Sequence, residues 1–444
     1  MKPWENGILK VDETGRYLRN GDKPFFWMGD TAWLIFRSLK EEEAYNYLKN
    51  RKEKGYNIIL CDFIHDAEQR NVYGDAALIE GDFSKPDTDG SYWKLVDRVI
   101  EMAEQLGLYM GILPVWGSSI VKGGSLNADN VDIFMDFIIE RYKDYKNLVW
   151  IVGGDVRGNV NEELFNHMGE RFKKENPEWL VGYHPFGRTS SSLWFHDQEW
   201  LDFNMFQSGH RRYDQASLGQ WDDNAVTEDY YGEDSWRYVA RDYQKIPAKP
   251  TLDGEPSYEE ILQGLHDESQ PYWKACDVRR YAYWSVFAGA FGHTYGHNSI
   301  MQFYADTNKK GAFGAKSVWQ EAMHQEGGGQ MKHLFDLMTS VDYYKGREAG
   351  RLLITPQGEK YDYIAVFAGE NYVFCYDYSG REFTVDLTEY KQQELSASWF
   401  DPVTGTYSFI REISGEASIT VKPVKREDGS GDYVLVLRNT GIDE

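Results

Sequence analysis

The chain has 444 residues, which is long for one hydrophobic core and predicts a large domain plus a smaller one. Its 71 acidic and 48 basic residues give a net charge of −23, which disfavours nucleic acid and anionic membrane surfaces as partners and favours a neutral substrate. Three distant cysteines, Cys61, Cys276 and Cys375, indicate neither a disulfide framework nor a metal knuckle.

The N-terminal sequence resembles no secretory leader, and the chain contains no apolar run of about eighteen residues. We therefore expect a soluble chain that is cytoplasmic as the sequence stands. A periplasmic or secreted protein is expected instead if a leader was removed.

A hairpin-like stretch with turn signals at Gly15 and Gly21 comes first, and strands then alternate with helices. Apolar runs predict three strands, at 25–33, 56–64 and 108–116, and the stretch 147–159 contributes the fourth strand of the series. Helical periodicity between them predicts helices over 38–55, 91–107 and 129–145. In the first helix, acidic residues near the start and basic residues near the end suit the helix dipole.

Four weaker strand signals follow, at 179–186, 201–209, 249–258 and 288–298, again with helical segments between them. Eight short apolar strands alternating with helices predict buried parallel strands. The economical fold is an α/β (β/α)8 TIM barrel. A doubly wound sheet is the alternative, but the glycine-containing stretch "GAFGAKS" (311–317) does not have the spacing of a phosphate-binding loop.

Near residue 345 the pattern changes to short alternating segments punctuated by Gly, Pro and Asp, which is typical of an antiparallel β-sandwich. The predicted domains are therefore a catalytic barrel with its N-terminal hairpin, residues 1–344, and a small β-sandwich, residues 345–444. We expect the sandwich to brace the barrel.

Polar and aromatic residues are concentrated at the carboxyl ends of the predicted strands, where a β/α barrel places its chemistry. The candidates for the site are Asp30, Trp33, Asp62, His65, Asp66, Trp116, Asp155, His184, Gln207, His210, Glu255 and His293.

Asp155 and Glu255 stand out because each follows a glycine, in "GGD" and "DGE", at the ends of the fourth and seventh strands. Two carboxylates that face each other can protonate a leaving oxygen and attack the carbon behind it, as glycoside cleavage requires. A separation of about 5–5.5 Å predicts retention of configuration and one of roughly 6.5–9.5 Å predicts inversion. The alternative is that both residues only cap turns or helices.

The remaining candidates have a binding interpretation and a structural one. Trp33 and Trp116 would stack on a sugar face or pack at the rim. Asp30 and Asp66 would accept hydrogen bonds from sugar hydroxyls or form salt bridges.

Three further residues, His184, Gln207 and His293, would bind hydroxyls or tune the nucleophile, or else be buried polar groups. His293 and His297 are four residues apart on an extended segment, which separates them by about 13 Å. We therefore predict no metal ion and no cofactor.

Six motifs carry a family resemblance: "KPFFWMGDTAW", "WIVGGDVRGN", "YHPFGRTSSSLWFH", "LDFNMFQSGH", "LDGEPSYE" and "ASWFDPVTGTY". In this order they resemble glycoside hydrolase family 140 over nearly the whole chain, including a C-terminal β-sandwich once thought to bind collagen. The resemblance implies a retaining enzyme that removes β-linked apiose from the pectin rhamnogalacturonan II or from apiosylated glycosides such as apiin. It also implies that Asp155 is the general acid/base and Glu255 the nucleophile.

One departure from the wider clan of barrel glycosidases is that this chain has Gly-Asp where the clan generally has Asn-Glu at the fourth strand. Two rival functions stay open: an exo-glycosidase for another pentose or furanoside, such as an arabinosidase, and a non-catalytic carbohydrate-binding protein. The expected partner in each case is a plant-derived oligosaccharide or glycoside. The sequence does not determine the aglycone, endo or exo action, or the oligomeric state.

Overall fold

The computed structural model describes residues 2–215, 231–306, 308–427 and 430–441. The chain begins with a three-stranded antiparallel sheet, so the expected hairpin carries a third strand. The strands of this sheet are β1 (Leu9–Val11), β2 (Leu18–Asn20) and β3 (Lys23–Phe25).

Eight parallel strands form the barrel, which confirms the predicted fold class. They are β4 (Trp27–Thr31), β5 (Ile58–Asp62), β6 (Tyr109–Leu113), β7 (Leu148–Gly153), β8 (Val181–His184), β9 (Asn204–Phe206), β10 (Thr251–Asp253) and β11 (Gly292–Tyr295). Hydrogen-bonded ladders join them in the order β8-β7-β6-β5-β4-β11-β10-β9. The two terminal strands lie side by side, and Asp202 N donates to Val181 O at 2.9 Å where the barrel closes.

Helices surround the strands. They are α1 (Ile35–Ser38), α2 (Glu41–Glu53), α3 (Ser91–Leu106), α4 (Gly117–Ile120), α5 (Val131–Tyr142), α6 (Glu162–Glu175), α7 (Ser235–Tyr243), α8 (Ala275–Phe287), α9 (Asn298–Met301), α10 (Trp319–Ala322) and α11 (Glu326–Thr339). Within the described ranges, every helix is too short or too polar to cross a bilayer.

Strand alternation divides the barrel's apolar side chains between two cores, because successive residues of a strand point to opposite faces. Ile58 and Leu60 pack inside the barrel, whereas Ile59 and Cys61 pack against the helices. Trp150 stacks on Phe172 of α6 in the outer core, with ring centroids 4.5 Å apart. Burial of an aliphatic side chain such as Ile58 or Leu60 contributes about 1.5–3 kcal/mol to the free energy of folding.

The C-terminal region forms two antiparallel sheets, as predicted. Its strands are β12 (Arg347–Glu348), β13 (Ile364–Gly369), β14 (Tyr372–Asp377), β15 (Phe383–Asp386), β16 (Glu394–Asp401), β17 (Thr406–Ser414), β18 (Ser418–Val421) and β19 (Tyr433–Asn439). Six strands pair in the order β12-β13-β14-β19-β16-β17, and β15 pairs with β18.

The central strands β13 and β14 of the six-stranded sheet are buried on both faces. Val366 and Val373 pack against Phe383 and Ile419 of the small sheet. On the opposite face, Phe367 and Phe374 each pack on Phe287 of α8 with ring centroids 6.2 Å apart. The sandwich therefore shares an apolar core with the barrel.

Candidate active site

A cavity of about 350 Å³ opens at the carboxyl ends of the barrel strands. Its size lies at the low end of the range for ligand pockets. Seven residues that the sequence predicts for the site line it: Trp33, His65, Trp116, Asp155, Gln207, His210 and Glu255.

Asp155 reaches this cavity through a sharp turn at the end of β7. Gly153 and Gly154 have φ of +93° and +110°, and Asp155 itself has φ of +47°. Glycine adopts such angles without a steric penalty, and aspartate tolerates the left-handed region better than most residues. The apolar strand therefore ends abruptly because two glycines turn the chain and present the carboxylate at the mouth.

Glu255 follows β10 by two residues and lies between two histidines. His184 Nε2 is 3.2 Å from Glu255 Oε2, and His210 Nε2 is 3.0 Å from Glu255 Oε1. The Nδ1 atom of His184 accepts the Asp155 backbone N–H at 3.3 Å, and that of His210 accepts the Tyr258 backbone N–H at 3.4 Å. Because Nδ1 is an acceptor in both rings, the ring proton is on Nε2 and faces the carboxylate.

The two carboxylates have pKa values shifted in opposite directions. Burial raises the pKa of Asp155, and the neighbouring charge of Glu255 raises it further. Burial alone would also raise the pKa of Glu255, but the hydrogen bonds from His184 and His210 outweigh that effect and hold the pKa below its usual value. Below about pH 6 the site thus contains a protonated carboxylic acid beside an ionised carboxylate, which suits an acid and a nucleophile or base.

Aromatic rings form the rest of the inner cavity. Trp33 and Trp116 lie with ring centroids 4.9 Å apart, and His65 stacks on Trp116 at 5.0 Å. Asp62 faces His65 Nδ1 at 3.0 Å, so its contribution to the site is to orient that ring. Trp33 Nε1 donates to the Tyr258 hydroxyl at 3.3 Å.

Asp30 does not reach the cavity, which corrects its predicted role in binding sugar. It is buried against α2, where Tyr47 Oη donates to it at 2.6 Å and Arg51 Nε lies 2.9 Å away. Gly29 and Thr31 face the barrel interior, and the strand alternation turns Asp30 to the helix layer.

His293 is likewise directed away from the cavity. Thr294 accepts a hydrogen bond from Trp27 Nε1 at 3.1 Å inside the barrel, so His293 faces the outer side of β11. Burial lowers the pKa of His293 to about 3.

Asp66 is also outside the cavity lining and pairs with Arg37 at 2.8 Å. His184 does not line the cavity either, but its Nε2 lies 3.2 Å from Glu255 Oε2.

Several cavity residues were not predicted from the sequence. Tyr258, whose hydroxyl interacts with Glu255, belongs to the motif "LDGEPSYE" but follows the strand by five residues. Others lie further along the loops after the strands: Leu34, Phe186, Gly187, Arg211, Ile261, Leu265, Met301, Gln302, Ala312 and Phe313. Among the described residues, no group of three His, Cys, Asp or Glu side chains is arranged to hold a metal ion.

Two family models match the chain. A family model described as "Apiosidase-like, catalytic domain" matches residues 12–345, and one described as "Putative collagen-binding domain of a collagenase" matches residues 349–438. A search of curated proteins finds no match.

Two solved structures resemble the chain over its whole length. One, described as a glycoside hydrolase, is 39% identical with a TM-score of 0.93, and the alignment covers 100% of this chain and 99% of that one. The other, described as a glycoside hydrolase family 5 protein from Bacteroides vulgatus ATCC 8482, is 37% identical with a TM-score of 0.93, and the alignment covers 100% and 96% of the two chains.

Proposed function

The chain belongs to the apiosidase-like family of glycoside hydrolases, and from that membership we propose that it is a retaining β-apiosidase acting on plant-derived glycosides. Its substrates on this proposal are rhamnogalacturonan II oligosaccharides or apiosylated glycosides such as apiin. Asp155 serves as the general acid/base and Glu255 as the nucleophile.

The observation that carries the proposal is the opposite protonation of two carboxylates lining one small cavity. The charge of Glu255 contributes to the raised pKa of Asp155, so the two groups interact across that cavity. Retaining glycosidases place their carboxyl groups about 5–5.5 Å apart, close enough for such an interaction. The ionised state of Glu255, which His184 and His210 maintain, is the state that a nucleophile requires.

The reaction would then proceed in two displacements. In the first, Asp155 donates its proton to the glycosidic oxygen while a Glu255 oxygen attacks the anomeric carbon. The glycosidic C–O bond breaks, the aglycone leaves as an alcohol, and a glycosyl ester forms on Glu255.

In the second displacement, ionised Asp155 takes a proton from a water molecule as that water attacks the anomeric carbon. The ester C–O bond breaks and returns Glu255 as a carboxylate, and Asp155 is again protonated. The sugar is released with the configuration of the substrate.

The cavity also supports action on a terminal sugar. A volume of about 350 Å³ accommodates one pentose and the nearest part of its leaving group rather than an extended chain. Trp33 and Trp116 offer ring faces for the C–H face of the sugar. Gln207 and His65 offer polar groups for its hydroxyls.

The test is incubation with apiin and, separately, with a rhamnogalacturonan II oligosaccharide, followed by identification of the released sugar and of its first anomer by NMR. We expect free apiose that initially has the β configuration. Release of the α anomer would contradict the retaining mechanism. Turnover of an aryl arabinofuranoside with none of any apioside would assign the enzyme to the rival sugar, and binding without turnover would make it a carbohydrate-binding protein.

A further inference from the structure

Part of the cavity lining is apolar and comes from three separate loops. We call this group, Leu34, Ile261, Leu265, Met301 and Phe313, the apolar wall. Leu34 follows β4, Ile261 and Leu265 follow β10, and Met301 and Phe313 follow β11. These side chains line the same cavity as Asp155 and Glu255.

Two members of the apolar wall are held in a backbone conformation that bulky residues rarely adopt. Leu265 has φ of +77° and Phe313 has φ of +52°. Such a conformation costs about 1–3 kcal/mol in a non-glycine residue and persists where its surroundings enforce it, often at ligand-binding positions.

Contacts with the rest of the site hold both loops in place. Gly264 N donates to His210 O at 2.9 Å, beside Leu265. Asn298 Nδ2 donates to Phe313 O at 3.0 Å, and the His266 ring packs on Phe313 with centroids 5.4 Å apart. The apolar wall is therefore a built part of the cavity, connected through His210 to the nucleophile.

The chemistry of the two parts of the cavity distinguishes what each can bind. A sugar carries a hydroxyl on most of its carbons, and placing those hydroxyls against aliphatic side chains loses hydrogen bonds to water without replacement. The carboxylates, His65, Gln207 and His210 provide the polar partners that a sugar needs. The aglycone, which is attached to the glycosidic oxygen that Asp155 protonates, must then occupy the rest of the cavity.

We propose that the apolar wall is the leaving-group subsite and that it takes a neutral apolar aglycone, an aryl or alkyl group, in preference to an acidic saccharide. This inference rests on the proposed cleavage of a glycosidic bond by Asp155 and Glu255. The net charge of −23 acts in the same direction, since it repels a polyuronate. Arg211 also lines the cavity, but it is 5% exposed and already interacts with another group of the protein.

The experiment compares two substrates with the same β-apiosyl group, benzyl β-apioside and a β-apiosyl galacturonic acid saccharide. Benzyl alcohol is a poorer leaving group than a sugar alcohol, so a preference for it reports binding rather than intrinsic reactivity. We expect kcat/KM to be about tenfold or more higher for the benzyl glycoside, the effect of burying one apolar group. Equal values, or a higher value for the acidic saccharide that falls with added salt, would overturn the inference.

Two variants locate the preference. Leu265→Asn and Phe313→Asn remove the apolar side chain and keep the backbone, since asparagine is well tolerated at left-handed φ. We expect each to lower kcat/KM for benzyl β-apioside about tenfold. The value for the acidic saccharide should stay within about twofold. An equal loss on both substrates would indicate a purely structural role and contradict the assignment.

The control is Leu193→Asn, because Leu193 is 37% exposed and is not among the cavity residues. It should leave both kcat/KM values near wild type. If benzyl arabinofuranoside is cleaved and benzyl apioside is not, the proposed sugar is wrong. The benzyl and saccharide aglycones are then compared on arabinofuranosides. A higher kcat/KM for the benzyl glycoside supports the apolar subsite and equal values overturn it, whichever sugar the enzyme cleaves.

Discussion

Each oxygen of the Glu255 carboxylate faces one imidazole Nε2–H, because both histidines use Nδ1 to accept a backbone N–H. The backbone N–H groups that donate to these Nδ1 atoms belong to Asp155 and Tyr258, which lie in the loops after β7 and β10. The main chain that carries the acid thus also determines the proton position on a ring that stabilises the nucleophile. His184 therefore links the two residues, because its Nδ1 accepts from the main chain of Asp155 and its Nε2 faces the carboxylate of Glu255.

The pH profile should reflect these contacts. The proposed mechanism requires Asp155 to be protonated for the first displacement, and burial together with Glu255 raises its pKa to about 6, so kcat/KM should fall as the pH rises through about 6. Glu255 stays ionised throughout the measurable acidic range because His184 and His210 overcome the effect of burial on its pKa. A rate measurement from pH 4 to 9 should therefore show one limb, on the alkaline side.

Replacing one histidine should add the second limb. His210→Phe removes a donor to Glu255 and raises its pKa, so kcat/KM should also fall at low pH. His167→Phe is the matched control, because His167 is on α6 and pairs with the exposed Asp132 at 2.8 Å. A His210→Phe profile without an acidic limb would remove that histidine from the control of the pKa of Glu255.

The catalytic assignment itself is tested by isosteric variants. Asp155→Asn and Glu255→Gln should lower turnover by roughly a thousandfold or more, because each removes a group that takes part in both displacements. The circular dichroism spectrum should match wild type. An activated 2-fluoro sugar should label Glu255, and a label on another residue would reassign the nucleophile.

Asp30 should affect stability rather than catalysis. Its carboxylate is buried beside Arg51 and Tyr47, so Asp30→Asn leaves a buried guanidinium without its counter-charge. We expect a loss of about 3–5 kcal/mol in the free energy of unfolding, measured with urea, and a kcat near wild type. Asp66→Asn breaks the half-exposed pair with Arg37 and should cost less than about 1 kcal/mol. A large fall in kcat for Asp30→Asn at full stability would restore its predicted role in binding.

At the level of elements, the end of β7 shows how a turn after a strand brings a carboxylate to the cavity. A side chain at Gly153 would overlap the carbonyl oxygen of His184 and approach the Tyr183 ring. The glycine is needed both for its φ of +93° and for the close approach of β8. The position of Asp155 therefore depends on the pairing of two strands.

Gly153→Ala should disturb both stability and activity. We expect about 1–3 kcal/mol from the backbone conformation and a further loss from the overlap with β8, together with reduced kcat as Asp155 moves. Gly124→Ala is the matched control: Gly124 has φ of +79° with open space around its Cβ position. Urea denaturation of both variants separates the effect of the backbone conformation from that of the overlap. Equal losses in the free energy of unfolding would show that β8 shifts to accommodate the added methyl group.

One helix, α11, forms against the helix propensities of its first residues. α11 begins with the sequence Glu-Gly-Gly-Gly, which the residue propensities disfavour in a helix. Gly327 N donates to Glu259 Oε1 at 3.1 Å, and a Cβ at Gly327 would lie only 2.5 Å from Glu259 Oε2. A Cβ at Gly328 would lie 3.3 Å from side-chain atoms of Arg51 and Tyr295. Close approach of other elements outweighs local propensity at this helix.

At the level of the whole molecule, the barrel and the sandwich are joined by buried charge and stacked rings. Arg279 Nε of α8 donates to Asp432 Oδ2 at 3.0 Å, and Tyr376 Oη donates to Asp432 Oδ1 at 2.8 Å. Trp236 of α7 stacks on Tyr363 with ring centroids 4.3 Å apart. The role expected for the sandwich, to brace the barrel, has a structural basis in these contacts.

The two domains should consequently unfold together. Differential scanning calorimetry of the wild-type protein should show one transition, and Asp432→Asn should lower its stability by about 3–5 kcal/mol without splitting it, because Arg279 loses its buried counter-charge. Asp386→Asn changes a carboxylate of the sandwich that hydrogen-bonds to the exposed Thr388, and it serves as the control. Two separate transitions in the wild-type protein would contradict a shared core.

The sequence by itself determined the order of the strands, the change to a sandwich near residue 345, and the two glycine-linked carboxylates. These features follow from local periodicity and turn chemistry, which a short window of residues contains. Seven of its candidates do line the cavity.

Only the tertiary structure decided which way each strand-end side chain points. A shift of one residue reverses the face of a strand, so Thr31 and Thr294 face the interior while Asp30 and His293 face outward. The tertiary structure also brought His184 and His210 to the same carboxylate and assembled the apolar wall from three loops. Those arrangements depend on contacts between residues far apart in the chain, and no local pattern encodes them.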